Sequence, residues 1–170
     1  MYKRMKKFIE RIEKICKANK KVAFFIDMDG TIIVYDVYPE NVVNQKMQEK
    51  YNDMMPAQYI IDMLEEINKI SNVDLYILSL SKTIKITNEK KKWLKKYVPF
   101  IKENNWIIIT KELNEYSKEN RDIIKAQKMQ EMKDKYNHLI LLDDDHRILK
   151  ETQNLLSTNA DVFHVSAALI

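Results

Sequence analysis

Val22-Ala23-Phe24-Phe25-Ile26-Asp27-Met28-Asp29-Gly30-Thr31 runs from an apolar stretch into two alternate aspartates, a turn residue and a hydroxyl. The apolar half reads as a buried strand, which delivers the residues after it to the rim of a sheet. Gly30 is the only glycine in 170 residues. Glycine enters φ > 0 without a Cβ penalty, so a chain that keeps one here keeps it for a sharp turn close to a ligand. Two carboxylates, a turn and a hydroxyl at a strand end are groups able to hold a metal ion and to attack phosphorus.

Working outward, strand-like runs recur at 73–78, 106–109, 138–142 and 162–165. Helical patterns separate them. Ile60, Ile61, Leu64 and Ile67 mark 57–70, and Ile86, Trp93 and Leu94 mark 82–97. Ile123, Ile124, Met129 and Met132 mark 119–136, and Ile148, Leu149, Leu155 and Leu156 mark 147–156. Strands alternating with helices predict an α/β protein with a doubly wound, Rossmann-like, five-stranded parallel sheet and helices on both faces. Ligands bind such sheets beyond the carboxyl ends of the strands. Three of the runs end in reactive residues: Asp27, Ser79, and Asp143-Asp144-Asp145.

The remaining segments are read more plainly. Residues 1–20 place Met5, Phe8, Ile9, Ile12, Ile15 and Cys16 at helical spacing, an amphipathic helix expected to pack on the body of one domain spanning 1–170. Residues 32–55 are polar and weakly periodic, and suit a small or minimal cap or flap after the first strand. Tyr35 and Tyr38 within it face the substrate or pack inside the flap. Lysines 90–92, 95 and 96 read as a solvated helix face. Trp93 and Trp106 read as core or rim residues, Asp145 as a helix N-cap, and His146 as surface at a helix start.

Composition narrows the class. The chain is 45% apolar and 32% charged, with a formal charge of +4. No apolar run nears the ~18 residues of a membrane span, and acidic residues interrupt the basic N-terminus where a signal peptide needs an apolar core. These features suit a cytoplasmic protein with no membrane partner. Cys16 is the only cysteine and the three histidines are scattered, which argues against a disulfide or a zinc site. The mild positive charge helps attract phosphorylated anions and does not by itself indicate nucleic-acid binding, so nucleic acid is an unlikely partner. A homo-oligomer stays open.

Asp27-Met28-Asp29-Gly30-Thr31 after an apolar strand resembles the first motif of the haloacid dehalogenase-like hydrolase superfamily. Leu75-Tyr76-Ile77-Leu78-Ser79 resembles the second motif, Lys125 the motif lysine, and Leu139-Ile140-Leu141-Leu142-Asp143-Asp144 the final acidic motif. Asn88-Glu89-Lys90-Lys91-Lys92-Trp93-Leu94, with Tyr97, Pro99 and the paired Asp143-Asp144, is similar to the deoxyribonucleotidase-like branch. The resemblance implies a phosphomonoester hydrolase. Asp27 is then the nucleophile, forming an aspartyl-phosphate. Asp29 is the general acid and later the base, a role that calls for a pKa raised relative to Asp27. Mg2+ is expected among Asp27, the backbone carbonyl of Asp29, and Asp143 or Asp144. Gly30, Thr31, Ser79, the amide of Leu80 and Lys125 are expected to bind phosphate, with Lys111 and Lys128 as competitors for the lysine role.

The substrate expected from this resemblance is a small phosphorylated molecule, with a nucleoside monophosphate first. A sugar phosphate or a phosphorylated nucleic-acid end is the alternative. A non-catalytic binding module on the same fold is the reading from a different class.

Overall fold

A computed structural model describes residues 3–34, 51 and 54–169. The flap expected over 32–55 falls largely on 35–50 and 52–53, with Tyr35 and Tyr38, outside the described residues. The strands are β1 (Val22–Ile26), β2 (Val73–Ser81), β3 (Trp106–Thr110), β4 (His138–Asp143) and β5 (Ala160–His164). They form one sheet in the order β3-β2-β1-β4-β5, and every neighbouring pair is parallel. The helices are α1 (Lys3–Ala18), α2 (Gln58–Ile67), α3 (Ile84–Tyr97), α4 (Ile124–Gln130) and α5 (His146–Leu156).

Strand residues alternate between two cores, as the pleat requires. Val22, Phe24 and Ile26 of β1 join Leu75 and Ile77 in a core closed by Phe8 and Ile12 of α1, Ile60 and Leu64 of α2, and Trp93 of α3. Ala23 and Phe25 face the other core, with Leu139 and Leu141 of β4, Met129 of α4 and Ile148 of α5. Helices α1, α2 and α3 therefore cover one face and α4 and α5 the other. The doubly wound reading holds. Phe8 of α1 meets Phe163 of β5 edge to face at 5.3 Å, and Arg11 lies 4.6 Å over the same ring.

Some boundaries differ from the sequence reading. β2 runs on to Ser81 because β3 pairs with its second half, Ile77 opposite Trp106 through Ser81 opposite Thr110. Ser79 thus lies inside the strand instead of just past its end. The helix expected over 119–136 is regular only at Ile124–Gln130. Beyond it, bonds from Met132 N to Met129 O and from Lys135 N to Met132 O wind the chain into tighter turns. Those turns lead to Tyr136, whose hydroxyl donates to Asp74 at 2.7 Å.

Among the described residues, no helix is long and apolar enough to cross a membrane.

Candidate active site

Strand order reverses between β1 and β4, and that crevice is where ligands bind in open α/β sheets. Asp27 follows β1 and Asp143 ends β4. Asp27 N donates to Leu142 O at 2.9 Å, which locks the two carboxylates side by side. Pleat alternation turns both toward α4. There Lys125 donates to Asp27 Oδ1 at 2.6 Å and to Asp143 Oδ2 at 2.6 Å. All three are buried. Lys128 instead pairs with Glu131, and Lys111 is exposed in a turn after β3.

The loop after Asp27 is built on one carbonyl. Met28 O accepts from Thr31 N, Ile32 N and Ile33 N. Gly30 takes φ 76°, the left-handed region that the turn demands, and its N–H donates to Ile33 O at 3.0 Å. Thr31 is buried and points its hydroxyl toward Asp27 Oδ2 at 3.5 Å.

This turn sends Asp29 away from Asp27. Its Oδ2 accepts from Lys90 of α3 at 2.5 Å, and its Oδ1 accepts from the Tyr51 hydroxyl at 2.8 Å. The two aspartates are therefore served by lysines from opposite faces of the sheet. Lys90 was read from sequence as part of a solvated face, and the structure corrects this. It is 1% exposed, and it also donates to Ser79 Oγ at 2.8 Å and Leu80 O at 2.7 Å. The signal was present, since Lys90 stands four residues after Ile86 and three before Trp93 and so lies on the buried stripe. Trp93 is core, and its Nε1 donates to Met54 O at 2.9 Å. Trp106 is half-buried.

The acidic run divides its tasks. Asp143 Oδ1 accepts from Asp145 N at 2.9 Å. Asp145 caps α5 by accepting from Arg147 N at 3.0 Å, and its other oxygen accepts from Arg121 at 2.9 Å. His146 opens α5 exposed and stacks on His164 with ring centroids 4.5 Å apart. Asp144 is half-buried. Asp27, Asp143 and Asp144 each offer an oxygen, and these atoms lie within 4.8 Å of one another.

Charge decides what such a cluster accepts. Three carboxylates converge with one ammonium between two of them. Burial pushes the Asp27 carboxyl up; Lys125 opposes this, Asp143 and Asp29 add to it, and the result is about 7. Burial works against the Lys125 ammonium, but Asp27 and Asp143 outweigh it and hold it above the ordinary lysine range. Burial and Asp143 also raise Asp144. The strongly raised carboxyl of this cluster is thus Asp27. A buried excess of negative charge made of hard oxygen donors fits a divalent cation of the Mg2+ type. Around it lies a cleft of about 700 Å³, whose walls include Leu80, Ile86, Tyr51, Tyr116, Arg121 and Arg147. Sequence reasoning did not single out Tyr51, Tyr116, Arg121 or Arg147. They come from loops and a helix start, where no periodicity marks them.

A parallel sheet carrying aspartates at its switch point, with a buried lysine behind them, makes this an α/β protein with an acidic site, and its fold is that of haloacid dehalogenase-like domains. The chain matches no protein-family model and no curated protein. It is similar to the solved HAD domain of effector protein Lem4 from Legionella pneumophila, at 16% sequence identity and a TM-score of 0.52, covering 85% of this chain and 87% of that one. An inactive mutant of that domain matches at 17% identity and a TM-score of 0.54, covering 85% of this chain and 84% of that one. At such identities the likeness is one of fold.

Proposed function

We propose that the protein is a Mg2+-dependent phosphomonoester hydrolase of the haloacid dehalogenase-like superfamily. It acts through an aspartyl-phosphate on a small phosphorylated substrate. The observation that carries this reading is the arrangement of Asp27, Asp143 and Asp144 within 4.8 Å of one another, with Lys125 bonded to the first two. Asp27 is the nucleophile, and its attack on phosphorus splits one displacement into two easier ones. Lys125 holds Asp27 Oδ1 and so leaves Oδ2 to attack. Asp29 exchanges the proton with the leaving oxygen and then with water. Ser79, the Leu80 amide and the loop at Gly30 and Thr31 are the proposed phosphate cradle. Asp27, Asp143, Asp144 and the main-chain carbonyl of Asp29 would hold the cation. When bound, it supplies charge compensation and orientation for the transferred phosphoryl group.

A nucleoside monophosphate is the substrate this reading favours. The cleft of about 700 Å³ supports a leaving group of that size, and Tyr51, Tyr116 and Ile86 are among the residues that line it.

The test is phosphate release from a panel of nucleotides and sugar phosphates, with Mg2+ and with chelator, comparing wild type with Asp27→Asn. Mg2+-dependent release that the variant abolishes is the expected result. Full activity in Asp27→Asn refutes the mechanism, and preference for sugar phosphates over nucleotides refutes the substrate class.

A further inference from the structure

Lys90 is buried as deeply as Lys125, yet the chemistry above gives it no task. A lysine on the inner stripe of an amphipathic helix takes the place of an apolar residue, and burying its charge is costly unless that charge is paired. Its three bonds all go to groups of the site: Asp29 Oδ2, Ser79 Oγ and Leu80 O. Asp29 has two oxygens with different neighbours. Oδ2 accepts from the buried Lys90 ammonium. Oδ1 meets the hydroxyl of Tyr51, a residue of the cleft wall.

We infer that Lys90 is a positioning residue that fixes which oxygen of Asp29 handles the proton: Lys90 holds Oδ2, and Oδ1 exchanges protons with substrate and water. In the first half-reaction an Asp27 oxygen bonds to phosphorus and the bond to the leaving oxygen breaks. The proton on Oδ1 passes to that oxygen, and Asp29 is left as carboxylate. In the second half, water attacks phosphorus and gives its proton to Oδ1. The bond from phosphorus to Asp27 breaks, releasing phosphate. The bond to Ser79 ties the proton-handling carboxyl to the phosphate cradle through one nitrogen. This inference rests on the phosphatase reading above.

The test separates the two. Lys90→Met and Lys90→Gln are assayed with 4-nitrophenyl phosphate, whose leaving phenolate needs little protonation. They are also assayed with the best-turned-over member of a set of alkyl monophosphates, whose leaving alkoxide needs a proton. The ratio of the two kcat/KM values does not depend on how much of the sample is folded. Loss of proton transfer removes about 100-fold or more, so the expected loss is of that size on the alkyl ester and under about 10-fold on the aryl ester. Adding Lys90→Met to Asp29→Asn is expected to change neither further. Equal losses on both esters in both variants refute the inference alone. Wild-type turnover of the aryl ester only also refutes it. No turnover of any ester by wild type refutes the phosphatase reading and the inference with it.

Discussion

Replacing Asp27 by asparagine should stabilise the cation-free protein. Burial, Asp143 and Asp29 outweigh Lys125 and place the Asp27 carboxyl at about 7 against an ordinary 3.8. At ~1.4 kcal/mol per unit, ionised Asp27 opposes folding by an upper bound of about 4 kcal/mol. The asparagine gives back part of this, because it bonds the Lys125 ammonium less well than a carboxylate does. The net gain expected is about 2 kcal/mol, or roughly 4–8 °C in Tm for a chain of this length. The sign with pH follows from an acid whose pKa is raised on folding. The penalty is full above about 7, shrinks as pH falls, and is gone below about 4, where both states are protonated. Thermal melts of wild type and Asp27→Asn in chelator, from pH 8 to pH 5, measure the gap. It should be widest at pH 8 and narrow steadily. Saturating Mg2+ should then raise wild type more than the variant, by about 3 kcal/mol at a hundred times Kd. A variant less stable than wild type at pH 8 in chelator, or a gap indifferent to pH, would refute the charge argument.

Lys125→Met leaves Asp27 and Asp143 buried with no ammonium between them, and is expected to lose about 3–5 kcal/mol in urea unfolding; a loss under ~1 kcal/mol contradicts the pairing. Gly30→Ala imposes a Cβ at φ 76° and should lose about 1–2 kcal/mol, read from the urea midpoint, with an unchanged midpoint as the opposing result. Cys16 is buried, and burial, with Glu13 adding to it, raises its thiol pKa. A thiol reagent at pH 8 should therefore modify it slowly in buffer and at once in urea; equal rates would place the thiol at the surface.

The sheet and the residues Asp27, Lys125 and Asp143 were legible in the sequence, with Lys125 read as a phosphate ligand and its bonds to both aspartates added by the structure. Apolar runs ending in acids mark strand ends, and their alternation with helices predicts a parallel sheet, whereas the strand order β3-β2-β1-β4-β5 is read from the structure. Lys125, at the start of a helical stretch, was found through its resemblance to the motif lysine of the family. Lys90 was missed because five lysines within seven residues look like a solvated face, and composition hid what the spacing from Ile86 to Trp93 carried. The parting of Asp27 and Asp29 was not legible either. Alternation alone puts residues two apart on one face, and it took three donors converging on Met28 O, with Gly30 in the left-handed region, to turn Asp29 toward α3.

Because Asp27 takes its lysine partner from α4 and Asp29 from α3, the proposed chemistry requires two independent dockings at once. Peeling either helix layer from the sheet would strip a charge from a carboxylate while leaving the strands paired. Chemistry should therefore vanish in the earliest partly opened state, ahead of any loss of β structure. Activity in such a chain is a stricter gauge of complete assembly than circular dichroism of the sheet.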